Sequence, residues 1–148
     1  MRQLKKEVKV LDTAVCILVV DDDAEVRKTL SLILENEGYS VQTAKDGKQA
    51  IKASERGFFD LALIDIKLPD MDGTELLERL KEKGPKMVKI MITGYPSLAN
   101  TIKAVNKGAD GYILKPFDTW KLLKMIRKHL NEKSAEHVRT WMEKVQMK

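Results

Sequence analysis

The stretch Leu61-Ala62-Leu63-Ile64-Asp65-Ile66-Lys67-Leu68-Pro69-Asp70-Met71-Asp72-Gly73 decides the fold. Its first four residues are an apolar run too short for a helix and bounded by turn formers, which reads as a strand buried on both faces. Pro69, Asp70, Asp72 and Gly73 then read as a loop. Asp65 ends the run, at the carboxyl end of a buried strand, where open α/β sheets bind ligands and do chemistry.

Outward from that strand the pattern alternates. Cys16 to Val20, Ser40 to Ala44, Val88 to Ile92 and Gly111 to Leu114 read as four more strands. Helices are expected over Glu25 to Glu37, Lys48 to Glu55, Thr74 to Lys83, Ser97 to Lys107 and Asp118 to Asn131. The first carries Leu30, Ile33 and Leu34 on one face and stops at Gly38; the last places Leu122, Leu123, Ile126 and Leu130 at helical spacing, with Asp118 or Thr119 as its cap. Gly84-Pro85 breaks the chain after the third helix. Five strands, each followed by a helix, imply an α/β fold: a parallel sheet covered on both faces through right-handed crossovers.

Composition agrees with one domain. The chain has 148 residues, 43% hydrophobic and 33% charged, enough for a single core. It has no apolar stretch near the roughly 20 residues that span a bilayer, and Met1 to Lys9 lacks an apolar signal core, so a cytoplasmic, non-membrane protein is expected. The lone cysteine, Cys16, is expected as a buried, inert thiol. His129 and His137 lack partners at ligand spacing and read as solvated surface residues, so zinc is not expected. The net charge of +5 sits at the two ends: residues 1–12 hold four basic and two acidic groups, residues 119–148 eight and three. Such ends fit either solubilising lysines or a nucleic-acid contact.

The residues that follow strands one, three, four and five are Asp21-Asp22, Asp65, Thr93 and Lys115. Converging carboxylates repel and raise one another's pKa unless a cation neutralises them. A hard divalent ion, Mg2+, suits oxygen ligands, whereas ligands for softer metals are missing. Lys115 supplies an ammonium and Thr93 a hydroxyl, so a phosphoryl group held by both would face Asp65 as nucleophile.

These residues closely resemble the receiver domain of two-component response regulators, over roughly Val15 to Leu130. The resemblance rests on Ile17-Leu18-Val19-Val20-Asp21-Asp22, on Leu63 to Gly73, on Met91-Ile92-Thr93-Gly94 and on Gly111-Tyr112-Ile113-Leu114-Lys115-Pro116-Phe117. It implies a flavodoxin-like sheet of order 2-1-3-4-5. It also implies Asp65 as phosphoacceptor, Mg2+ on Asp21, Asp22, Asp65 and the backbone carbonyl of Lys67, and Thr93 and Lys115 on the phosphoryl oxygens. Thr93 and Tyr112 would be the switch pair, and Lys115-Pro116 a cis peptide. The implied donor is a phosphohistidine on a sensor histidine kinase. The implied output surface is helix four, strand five and helix five, open to a downstream protein partner or to a homodimer.

Duller roles compete at some positions. Asp23 reads as the cap of helix one, leaving Asp21 and Asp22 for the metal. Asp70 and Asp72 read as turn formers, and Lys67 and Tyr95 as residues placed to steer water. A dehalogenase-type phosphatase needs an aspartate where Lys67 stands. A nucleotide loop after strand one would be repelled by Asp21-Asp22-Asp23. The remaining alternative is a basic-tailed nucleic-acid or scaffold-binding module in which the receiver fold is not phosphorylated; on the receiver reading, direct nucleic-acid contact is not expected.

The division expected is a basic segment at 1–12, the receiver domain at 13–131 and an amphipathic extension at 132–148. Asn131 to Ser134 is expected to interrupt helix five, after which Ala135, Val138, Met142 and Val145 share a face with Trp141 beside it. The 18 residues after Leu130 are too few for an effector domain.

Overall fold

A computed structural model describes residues 14–83, 87–94 and 97–146. The basic segment at 1–12, Gly84-Pro85 and Tyr95 lie outside the described residues. The five strands are β1 (Cys16–Val20), β2 (Ser40–Ala44), β3 (Leu61–Asp65), β4 (Val88–Thr93) and β5 (Gly111–Leu114). The helices are α1 (Ala24–Asn36), α2 (Gly47–Arg56), α3 (Gly73–Lys83), α4 (Leu98–Asn106) and α5 (Thr119–Gln146). All strand pairs are parallel, in the order β2-β1-β3-β4-β5. This is the sheet order expected.

Every residue of β3 and β4 is buried, as apolar runs without alternation require. Successive side chains point to opposite faces, which makes two cores. Leu18, Val20, Ala62, Ile64 and Met91 pack against α2, α3 and α4 through Ala50, Leu76, Leu77, Leu80 and Ala104. Ile17, Val19, Leu63, Ile90 and Ile92 pack against α1 and α5 through Leu30, Leu34, Leu122, Leu123 and Ile126. Cys16 is partly buried against the first core and is a free thiol.

Helix ends follow local chemistry. The Asp23 side chain accepts the N–H of Glu25 at 2.9 Å and caps α1. The helix ends ahead of Gly38, whose φ of 93° is the left-handed conformation that glycine adopts without penalty. Asp118 caps α5, accepting the Trp120 N–H at 2.8 Å.

Two expectations fail here. The interruption at Asn131 to Ser134 does not occur: α5 runs unbroken for 28 residues. Asn and Ser cost a helix interior less than about 0.7 kcal/mol each and neither blocks its hydrogen bonds, so two of them do not end it. His129 is not a solvated residue either. Its side chain is 19% exposed and its Nδ1 lies 3.7 Å from Glu132 Oε2, because the helix it stands on covers the sheet; His137 is exposed. Beyond the sheet, α5 presents Val138, Trp141, Met142 and Val145 to solvent. No helix among the described residues is long and apolar enough to cross a membrane.

Candidate functional site

Strand register assembles the site. Val20 pairs with Ile64, so Asp21 and Asp65 stand one residue further along neighbouring strands. Asp65 pairs with Ile92 and Thr93 with Leu114, which brings Thr93 and Lys115 to the same edge. The Lys115 N–H donates to the Thr93 carbonyl at 2.7 Å, tying the two loops together.

At this edge one carboxylate oxygen from each of Asp21, Asp22 and Asp65 lies within 4.8 Å of the others. Asp21 is fully buried, Asp65 is 6% exposed and Thr93 is buried at the end of β4. The Lys115 ammonium donates to Asp21 Oδ2 at 2.6 Å and to Asp65 Oδ2 at 3.4 Å. Burial works against the charged ammonium, but its hydrogen bond to Asp21 and the charges of both aspartates outweigh it and raise its pKa. For Asp65, burial and then the Asp21 charge push the carboxyl pKa above the ordinary range, while Lys115 and the Lys67 backbone pull it down. One ammonium does not satisfy the cluster.

The leftover is specific. Asp65 Oδ1 is buried and has no hydrogen-bond partner among the described residues. An orphaned carboxylate oxygen among three acids is what a hard, oxygen-seeking cation such as Mg2+ fits, and soft or imidazole donors are absent from the group. Tyr112, the other expected switch residue, lies in β5 opposite Met91, and its buried hydroxyl also lacks a partner among the described residues. The Lys115-Pro116 peptide is cis.

The loop after Asp65 is held by contacts the sequence did not announce. Asp70, read as a turn former, accepts the N–H groups of Gly47 and Lys48, both at 2.9 Å, and so caps α2 from across the edge. Burial opposes its ionisation, but the backbone N–H groups together outweigh it and its pKa is lowered. Asp72 bridges Lys67 in an isolated antiparallel pair and lies 3.8 Å from Lys103 of α4. Gly73 donates to the Ile66 carbonyl at 2.6 Å, and a Cβ there would collide with the Asp65 carbonyl oxygen. Arg27, one turn into α1, donates to the Asp21 carbonyl at 2.8 Å and steadies the first acid loop. Its only sequence signal is its position one helical turn after Asp23.

Residues 17–127 match the response regulator receiver domain family. The chain belongs to that family. A CheY-like receiver domain protein from Methanospirillum hungatei is 47% identical, with a TM-score of 0.82 over 84% of this chain and 99% of that one. The transcriptional regulatory protein ResD of Bacillus subtilis is 35% identical over 118 residues, which are 80% of this chain and 49% of ResD. This receiver chain thus spans about half the length of the curated relatives it matches. A response regulator from Burkholderia pseudomallei, solved with a phosphorylated aspartic acid, calcium ion and citrate, is 31% identical; its TM-score is 0.74 over 83% of this chain and 72% of that one. The chain is therefore a signalling receiver of two-component systems.

Proposed function

We propose that this receiver takes a phosphoryl group from a phosphohistidine of a sensor histidine kinase onto Asp65. The observation that carries the reading is the cluster of Asp21, Asp22 and Asp65 within 4.8 Å, with the Lys115 ammonium 3.4 Å from Asp65. The phosphorylated aspartic acid and the calcium ion in the Burkholderia pseudomallei relative support it. Asp21, Asp22 and Asp65 would hold Mg2+ with the Lys67 backbone carbonyl. When bound, that ion offsets charge on the transferring group.

The rest is work for the chain's own side chains. The Asp65 carboxylate attacks phosphorus in line as the bond to the histidine nitrogen breaks. Lys115 and Thr93 take the phosphoryl oxygens by a charge-assisted and a neutral hydrogen bond. Phosphorylation adds about −1.5 to −2 charge at one point, and drawing Thr93 toward it lets the Tyr112 side chain change place. Those two residues couple Asp65 to α4, β5 and α5.

That surface is where a downstream protein or a second copy would bind. Leu98, Ile102 and Val105 of α4, Leu114 of β5 and Trp120 of α5 are all exposed there, an apolar patch of the kind that marks an interaction site. The receiver unit is assigned to 13–131 and the extension to 132–148, which α5 joins to it as far as Gln146; the setting is cytoplasmic.

Intact-mass measurement after incubation with acetyl phosphate tests the reading. One phosphate should be added in the presence of Mg2+, be lost in mild base, and fail to appear with chelator or in Asp65→Asn. Equal labelling of Asp65→Asn would overturn it.

A further inference from the structure

The loop between β3 and α3 brings backbone groups, as well as Asp65, to the site. The Lys67 N–H faces the Asp65 carboxylate and helps to hold its pKa down. The Lys67 carbonyl is the ligand assigned above to Mg2+. Lys67 is itself exposed, so its own side chain does not fix its backbone by burial. The base of the loop is closed by the bridge between Lys67 and Asp72 and by the bond from the Gly73 N–H to the Ile66 carbonyl.

The tip of the loop is held from elsewhere. Asp70 Oδ1 accepts the Gly47 N–H and Oδ2 the Lys48 N–H, each at 2.9 Å, so both oxygens of one exposed carboxylate are spent on the first turn of α2. Bonds of this kind, from backbone N–H groups at a helix N-terminus to an ionised carboxylate, are among the stronger ones. Beside them the Met71 side chain lies where a Cβ on the buried Gly47 would stand.

α2 has a cap of its own. Asp46 Oδ1 accepts the Gln49 N–H at 2.8 Å, and Gln49 Oε1 accepts the Lys45 N–H at 3.0 Å. The segment ahead of α2 is also tied to the first acid, because the Asp21 N–H donates to the Ala44 carbonyl at 3.1 Å. The start of α2 therefore joins the two sides of the acid cluster, to Asp21 through Ala44 and to the loop after Asp65 through Asp70.

We propose that Asp70 is a positioning residue for the cation site: its clamp on α2 holds the Lys67 backbone in the place that Mg2+ requires. Asp70 acts through Lys67 and does not itself bind the ion. The proposal rests on the metal reading above. Mg2+ demands near-ideal octahedral geometry, whereas Ca2+ accepts a flexible ligand set. A loosened loop should therefore cost Mg2+ more than Ca2+, while the mere loss of a nearby negative charge should weaken both alike.

The test is calorimetric titration of the full chain with magnesium chloride and with calcium chloride, for the parent, Asp70→Ala, Asp70→Asn and Asp46→Ala. Asp70→Ala should weaken Mg2+ about tenfold or more, the usual cost of removing a group that orients a metal ligand, and Ca2+ less than about threefold. Asp70→Asn keeps one acceptor and should fall between Asp70→Ala and the parent. Asp46→Ala removes the helix's own cap but leaves the clamp, and should stay within about twofold of the parent for Mg2+. Without metal, amide exchange at Gly73 should quicken in Asp70→Ala and not in Asp46→Ala. Mg2+ affinity unchanged in Asp70→Ala, equal losses for the two cations, equal losses in Asp70→Ala and Asp70→Asn, or an equal loss in Asp46→Ala would each overturn the proposal alone. A parent that binds neither cation would overturn the metal reading itself.

Discussion

The two edges of one sheet bury charged groups of opposite sign, Asp21 and Asp65 at one and Lys89 at the other. At the carboxyl edge three aspartates converge within 4.8 Å and one ammonium, Lys115, answers them. At the amino edge the charges of Lys81 and Lys133 bear on a buried Lys89, and one carboxylate, Asp110, answers them. β4 spans both, with Lys89 near its start and Thr93 at its end. The edges differ in packing as well as sign. The loop after Asp65 folds back until Gly73 touches the Asp65 carbonyl, whereas the strand starts face an open groove under α5. The strand interiors make a common core; the ends, where backbone and side chains are released from the ladder, make the chemistry.

The largest effect expected at the carboxyl edge comes from Lys115→Ala. If its ammonium serves the phosphoryl group, removing it should slow labelling by acetyl phosphate about 10²- to 10³-fold, the usual cost of one preorganised donor to a developing charge. Magnesium affinity, followed by calorimetry, should stay level or rise, because an ammonium beside a cation site repels the cation. More than a tenfold loss of magnesium affinity would mean that Lys115 instead organises the acids.

Packing gives the next effect. Gly73→Ala places a methyl against the Asp65 backbone carbonyl, which cannot swing aside, and should cost about 1–3 kcal/mol in urea unfolding. Gly111→Ala at the amino edge meets side chains and no backbone: the ends of His129 and Met125, each 3.1 Å away, and Ile90 Cγ1 at 3.4 Å. Those can move, and alanine suits a strand better than glycine, so the change should stay within about 1 kcal/mol. Equal losses at the two glycines would erase the contrast between a closed edge and an open one.

Much of this is legible in the amino-acid sequence. Short runs of apolar and β-branched residues, each bounded by turn formers, mark β1, β2 and β5 to the residue. Asp21, Asp22, Asp65, Thr93 and Lys115 are each legible from following a strand, since a parallel sheet brings its carboxyl ends together. Contacts between distant segments are not. Asp70 reads as a turn former, and nothing local says that it caps a helix 22 and 23 residues earlier. Lys89 leaves a signal, a lysine inside an apolar strand, but the Asp110 charge that answers it lies 21 residues further on. The continuity of α5 escapes because Asn and Ser are weak helix formers, and weakness reads as an end.

The smallest expected effect is in the pH dependence of stability, where the two edges should slope in opposite directions. Asp65 has its pKa raised by burial and by Asp21, so the folded chain binds more protons than the unfolded one between 3.8 and the folded value. Its contribution is fully present below 3.8 and is lost as pH rises through the folded value. Lys89 has its pKa lowered by burial, so its contribution is present above 10.5 and is lost as pH falls through the folded value. Each group changes the slope by at most one proton, about 1.4 kcal/mol per pH unit. Urea unfolding without magnesium should therefore find that Asp65→Asn removes a decline on the acid side and is more stable than the parent near neutral pH. Lys89→Met should remove a rise on the alkaline side, leaving exposed the opposite trend from Lys115, whose raised pKa makes its contribution fade as pH climbs. Magnesium should cancel the advantage of Asp65→Asn and leave that of Lys89→Met untouched, since the ion answers the charge at one edge only. Parallel pH curves for the parent and both variants would show that neither edge stores the electrostatic imbalance assigned to it.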